Sequence, residues 1–75
     1  MTYDAELDAK GLLCPLPVLK ARKRLQALIS GQVLRMEADD PAAIVDVPHF
    51  CAEAVHELVE IAEIADAQVY VIRKA

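Results

Sequence analysis

A chain of 75 residues with a net charge of −4 and 56% apolar content is expected to form one domain over residues 1–75, with a limited core and only marginal stability of its own. Two tyrosines and one phenylalanine are its only aromatic residues, so the core is aliphatic and too small to enclose a substrate chamber; chemistry belongs on the surface or at the end of an element. The acidic balance lacks the concentrated basic surface that direct nucleic-acid binding requires, and no apolar run approaches the ~18 residues of a membrane span.

Tyr3, Ala5 and Leu7 alternate with Asp4, Glu6 and Asp8, the period-two pattern of a half-buried strand. Gly11 permits a turn. Cys14-Pro15-Leu16-Pro17 then opens a helix, since a proline in the first helical turn gives up an N–H that would have no partner there. The spacing predicts a helix to about Ile29, buried along Val18, Ala21, Leu25, Leu28 and Ile29, with Lys20, Lys23, Arg24 and Gln26 toward water. Ser30-Gly31 ends it, with Gly31 as a left-handed cap.

Gln32 to Ala38 is a second strand, with Leu34, Met36 and Ala38 on one face. Asp39-Asp40-Pro41 repeats a helix-start signal, Asp40 capping and Pro41 in the first turn. Pro48 divides the next stretch into a short turn over Pro41 to Asp46 and a main helix from about Val47 to Glu57, buried along Phe50, Cys51, Ala54 and Val55. Leu58 to Ala65 stays open on pattern alone: its composition suits more helix, while an imperfect alternation suits a strand. Gln68 to Arg73 is a strand. The Asp66-Ala67 link before it lacks the glycine that favoured hairpins use. Two strand–helix units and a terminal hairpin give β-α-β-α-β-β, an α/β fold with both helices on one face of a four-stranded mixed sheet.

The residues that carry chemistry surround Cys14. A helix N-terminus bears partial positive charge and unpaired N–H groups, so a thiol placed there is expected to ionise below its usual ~8.5. Pro15 and Pro17 fix the first turn and remove two donors, leaving the amides of Leu16 and Val18 to face the sulfur; these four residues shape the site. Lys20, Arg22, Lys23 and Arg24 add positive potential, and Lys20, Lys23 and Arg24 form a candidate docking face for an acidic partner. A rigid, exposed sulfur of this kind suits nucleophilic attack and transfer, and a persulfide there draws on the same donors. No general base or oxyanion hole is evident, which fits a carrier better than a stand-alone catalyst. A dithiol oxidoreductase is disfavoured because the residue three beyond Cys14 is Pro17 rather than a resolving cysteine.

The stretch from Leu7 through Cys14-Pro15-Leu16-Pro17 to Lys20 resembles the signature of the TusA/SirA sulfur-carrier family, whose hallmark is Cys-Pro-x-Pro. The resemblance continues at Asp39-Asp40-Pro41-Ala42-Ala43, Asp46-Val47-Pro48-His49-Phe50-Cys51, His56-Glu57-Leu58 and Ile72-Arg73-Lys74, and so covers essentially the whole chain. It implies a two-layer sandwich and a strand at Leu58 to Ala65. It also implies that Cys14 accepts sulfur from a cysteine desulfurase or rhodanese-like donor and relays it to an acceptor protein, in pathways such as transfer-RNA thiolation, molybdenum-cofactor synthesis or sulfur oxidation. Some members place arginine immediately before the cysteine, where this chain has Leu13, so local positive charge is reduced.

The remaining candidates have plainer readings. Cys51 lies on the apolar stripe of the second helix and is a packed core thiol. His49 and Cys51 project about 200° apart on a helix and cannot share a metal ion; no metal or cofactor is expected. Asp39, Asp40 and Asp46 lie near helix starts, where capping accounts for them. With two cysteines and no basic signal segment in Met1 to Lys10, free thiols and a cytoplasmic location are expected. The competing functions are a non-catalytic regulatory or interaction module and a redox sensor in which Cys14 oxidises to sulfenic acid.

Overall fold

Alternation over Leu34, Met36 and Ala38 puts three apolar side chains on one side of a strand, and that side becomes the interior. The computed structural model describes residues 3–75, as β1 (Ala5–Asp8), α1 (Leu16–Gln26), β2 (Val33–Ala38), α2 (Ala43–Ala54), β3 (Glu57–Ile64) and β4 (Ala67–Arg73). The strands make one mixed sheet of order β1-β2-β4-β3, parallel between β1 and β2 and antiparallel elsewhere. Leu7 lies opposite Met36, Met36 opposite Tyr70, and Leu34 opposite Ile72. These residues share one face, on which Ala21 and Leu25 of α1 and Ala43, Val47, Phe50 and Cys51 of α2 pack. The expected two-layer architecture is the one observed.

The opposite face is covered differently. Val69 and Val71 are buried although no helix lies over them. Their register partners in β2 are Glu37 and Arg35. Arg35 Nη1 pairs with Glu37 Oε2 at 2.6 Å and with Glu6 Oε1 at 3.9 Å, and Lys10 Nζ pairs with Glu37 Oε1 at 3.1 Å. The aliphatic stems of these long side chains shield the valines while the charged ends stay wet.

Several boundaries differ from the sequence reading. Helix α1 stops at Gln26 rather than near Ile29. Its end tightens through bonds three residues apart, from the Ala27 amide to the Arg24 carbonyl and from the Leu28 amide to the Leu25 carbonyl. Ile29 is left 70% exposed, and Gly31, left-handed at φ +88, turns the following loop instead of capping the helix. Helix α2 is continuous from Ala43 to Ala54 with Pro48 inside it. An interior proline costs about 3 kcal/mol. Burial of Val47, Phe50 and Cys51 on either side of Pro48 is worth roughly 1.5–3 kcal/mol for each large side chain, enough to carry the helix through. It ends at Val55, in a left-handed conformation (φ 63) and exposed rather than buried.

The segment after it is a strand, as the family resemblance implied. Leu58 pairs with Ile72 and Glu60 with Val71, so a register shift between Leu58 and Glu60 leaves Val59 without its own partner. That irregularity is why alternation across this stretch looks imperfect. The β3–β4 link turns at Ala65 and Asp66, one residue earlier than the expected Asp66-Ala67, and Ala65 takes φ 42 there in place of a glycine.

Candidate functional site

Parallel pairing of β1 with β2 brings the C-terminal ends of both strands to one edge, where ligand sites of α/β sheets gather. There the Ala9 amide donates to the Glu37 carbonyl at 2.8 Å. The loop leaving β1 turns at Gly11 with φ +83. Two aspartates following β2 fix this loop. Asp39 Oδ1 accepts from the Gly11 amide at 2.9 Å, and Asp40 Oδ2 accepts from the Cys14 amide at 2.6 Å. Asp40 Oδ1 also reaches the Ala42 amide at 3.4 Å. Asp40 thus divides its carboxylate: Oδ1 makes a long, cap-like contact in the turn before α2, whose N-cap residue Ala42 offers no side-chain cap, while Oδ2 ties the start of one strand–helix unit to the other.

Cys14 is exposed at the entrance to α1, as the sequence predicts. Its sulfur is oriented otherwise than expected. Sγ donates to Asp46 Oδ2, in the first turn of α2, at 2.6 Å. The Leu16 amide, expected to face the sulfur, donates to the Leu13 carbonyl at 2.9 Å. A thiol hydrogen-bonded to a carboxylate is stabilised in its protonated form. Accordingly the Cys14 thiol is pushed up from its ordinary value, first by the bond to Asp46, then by desolvation and by the charges of Asp46 and Asp40. This runs against the expectation of an anionic sulfur held by the amides of the helix start: Sγ donates to a carboxylate instead.

The sulfur opens into a groove of about 230 Å³ between the helices, lined by Pro15, Val18 and Arg22 from one side and by Asp46, His49, Phe50 and Glu53 from the other. Of the residues expected to shape the site, Pro15 and Val18 line it. Pro17 is buried in the first turn of α1, and Leu16 is partly exposed to solvent. The Arg22 guanidinium lies 5.7 Å from the centre of the Phe50 ring, a cation–π contact that sets this basic residue in the groove. Lys20, Lys23 and Arg24 are exposed but line no part of it; Arg24 Nη1 donates to the Glu6 carbonyl at 2.7 Å.

Sequence reasoning missed the roles of Asp40, Asp46 and Arg22. The two aspartates lie 26 and 32 positions from Cys14, and only the parallel pairing of β1 and β2 brings them close. The usable signal was an acidic residue in the first turn of the helix after the second strand. Cys51 is 2% exposed in the core, and burial pushes its thiol up to about 11. His49 faces solvent and pairs with Glu53 Oε1 at 3.0 Å, well separated from Cys51 in environment. No helix among the described residues is long and apolar enough to cross a membrane.

Comparison with known proteins agrees with the motif. The family model described as "Sulfurtransferase TusA" matches residues 5–74. A protein named "Sulfur carrier protein TusA" from Allochromatium vinosum is 44% identical over 97% of this chain and 96% of its own length. One of the same name from Pseudomonas entomophila is 43% identical over 99% of this chain and 92% of its own. A crystal structure of a SirA-like protein from Desulfitobacterium hafniense superposes with a TM-score of 0.79 at 25% identity, covering 95% of this chain and 96% of the other. Fold, Cys-Pro-Leu-Pro segment and full-length similarity agree: the chain belongs to the TusA family.

Proposed function

We propose that this chain, working as one unit over residues 1–75, is a sulfur carrier in which Cys14 takes sulfane sulfur from a donor enzyme and presents it to an acceptor protein. The observation that supports this best is the exposed Cys14 thiol at the mouth of α1, inside a full-length match to relatives named as sulfur carriers. The donor is a cysteine desulfurase or a rhodanese-like protein, each of which offers a cysteine persulfide, and the exchange takes place in the cytoplasm. Cys14 is the sulfur-bearing residue. Pro15 and Pro17 stiffen the backbone beside it, and the exposed Leu13, Leu16 and Leu19 give a partner an apolar rim to cover. Lys20, Lys23 and Arg24 offer a basic face to an acidic partner surface.

Incubation with a cysteine desulfurase and cysteine, followed by mass spectrometry, tests the proposal. One added sulfur on the Cys14 peptide, absent in Cys14→Ser, is the expected result. Charge reversal at Lys20 and Lys23 is expected to slow loading by the enzyme. If the biological activity survives Cys14→Ala, the chain is an interaction module instead.

A further inference from the structure

The chemistry of Sγ changes when sulfur is loaded, and Asp46 is placed to respond. In the empty protein Sγ carries a hydrogen and gives it to Asp46 Oδ2 at 2.6 Å. The inference rests on the sulfur-carrier reading. In loading, Sγ attacks the outer sulfur of a donor persulfide R–S–SH. A new S–S bond forms at Cys14 and the donor's S–S bond breaks. Its electron pair leaves on the donor's inner sulfur, which takes up the proton that Sγ gives up. Cys14–SH and R–S–SH become Cys14–S–SH and R–SH, with no net oxidation or reduction.

Sγ, now bonded to carbon and to sulfur, has no hydrogen left. The outer sulfur of a persulfide is more acidic than a thiol and is an anion near neutral pH. Asp46 then faces an acceptor beside a negative charge, and two acceptors do not hold a contact of this length. The other charged groups around the sulfur are Asp40, through its bond to the Cys14 amide, the His49–Glu53 pair of α2, and Arg22 of α1. Of these, Arg22 is the permanent cation, and it lines the same groove.

We propose that Asp46 is a positioning residue that reads the load on Cys14: it holds the empty thiol against α2 through the Sγ–H bond and releases the side chain toward Arg22 once sulfur is bound.

Iodoacetamide alkylation of the full chain, read at the Cys14 peptide by mass spectrometry between pH 6 and 10, tests this in both states. The loaded state is prepared with inorganic polysulfide, so that no donor enzyme is involved. For the empty protein, the rate is expected to rise with pH through a midpoint above that of an ordinary thiol. Asp46→Asn, close to isosteric, is expected to lower the midpoint and speed alkylation at pH 7 about tenfold, the factor that one unit of acidity carries. For the loaded protein, the same substitution should change the rate by less than about twofold, since the contact no longer exists.

An unshifted midpoint in the wild-type protein overturns the proposal without any variant. So does an equal effect of Asp46→Asn on both states, which would make Asp46 a general source of field. A chain that takes no polysulfide sulfur at Cys14 overturns the carrier reading itself, while the empty-state rates still report whether Asp46 holds the thiol.

Discussion

At the scale of single residues, the site is a negotiation between a sulfur and three carboxylates. Asp39 and Asp40 hold backbone amides of the loop before α1, and Asp46 holds the sulfur itself. The Asp40 bond to the Cys14 amide is charge-assisted, and such bonds contribute about 1.5–3 kcal/mol. Asp40→Ala is therefore expected to lower unfolding stability by about 2 kcal/mol and to slow sulfur loading, because Cys14 loses its backbone anchor. Urea denaturation and the mass-spectrometric loading assay check the two effects. The cysteine was legible because its motif is local: a thiol, two prolines and a helix start within four positions. The aspartates were not, because their distance from Cys14 along the chain hides a proximity that exists only after β1 and β2 pair. Reading them as caps followed from local logic; in the structure Asp39 and Asp46 bond elsewhere, and Asp40 keeps only a long contact to the Ala42 amide beside its shorter bond to Cys14.

At the scale of elements, local rules succeeded where one force dominated. The alternation of β2 and the apolar run of β4 survive intact in the structure because burial and propensity point the same way. Pro48 misled because proline's local cost was weighed without the tertiary burial that offsets it. β3 was ambiguous because an irregular register breaks the period on which the reading depends. Val55 shows where the backbone still carries strain: a β-branched residue with φ 63 ends α2. Left-handed backbone costs a non-glycine residue about 1–2 kcal/mol, and the Val55 side chain is 77% exposed and contributes little packing. Val55→Gly is expected to raise stability by about 1 kcal/mol, measurable as a shift of the urea midpoint with an unchanged slope.

At the scale of the whole molecule, the two faces of the sheet are stabilised by different means and so respond to different conditions. The helix-covered face depends on apolar burial. The open face depends on the Glu6, Lys10, Arg35 and Glu37 network. Glu37 is held below the usual carboxylate range by its hydrogen bonds to Arg35 and then Lys10. A carboxyl depressed in the folded state stabilises above its ordinary value of ~4.3 and loses that contribution as pH falls through the depressed value. The wild-type protein is therefore expected to lose stability on acidification below pH ~4 more steeply than Glu37→Gln, the two curves converging at the acid end. Thermal unfolding across pH 2 to 7, as an experimental range of about five units, checks the convergence.

The strand order also leaves β3 at the rim of the sheet, with Ile61 and Ile64 exposed along it. A rim strand with apolar side chains is a template onto which another chain can add, the first step toward fibrils. Glu57, Glu60 and Glu63 are interspersed along this same strand, so two copies approaching rim to rim would set like charges against each other. Edge-to-edge addition of a second copy along β3 is therefore opposed by the repulsion of these carboxylates.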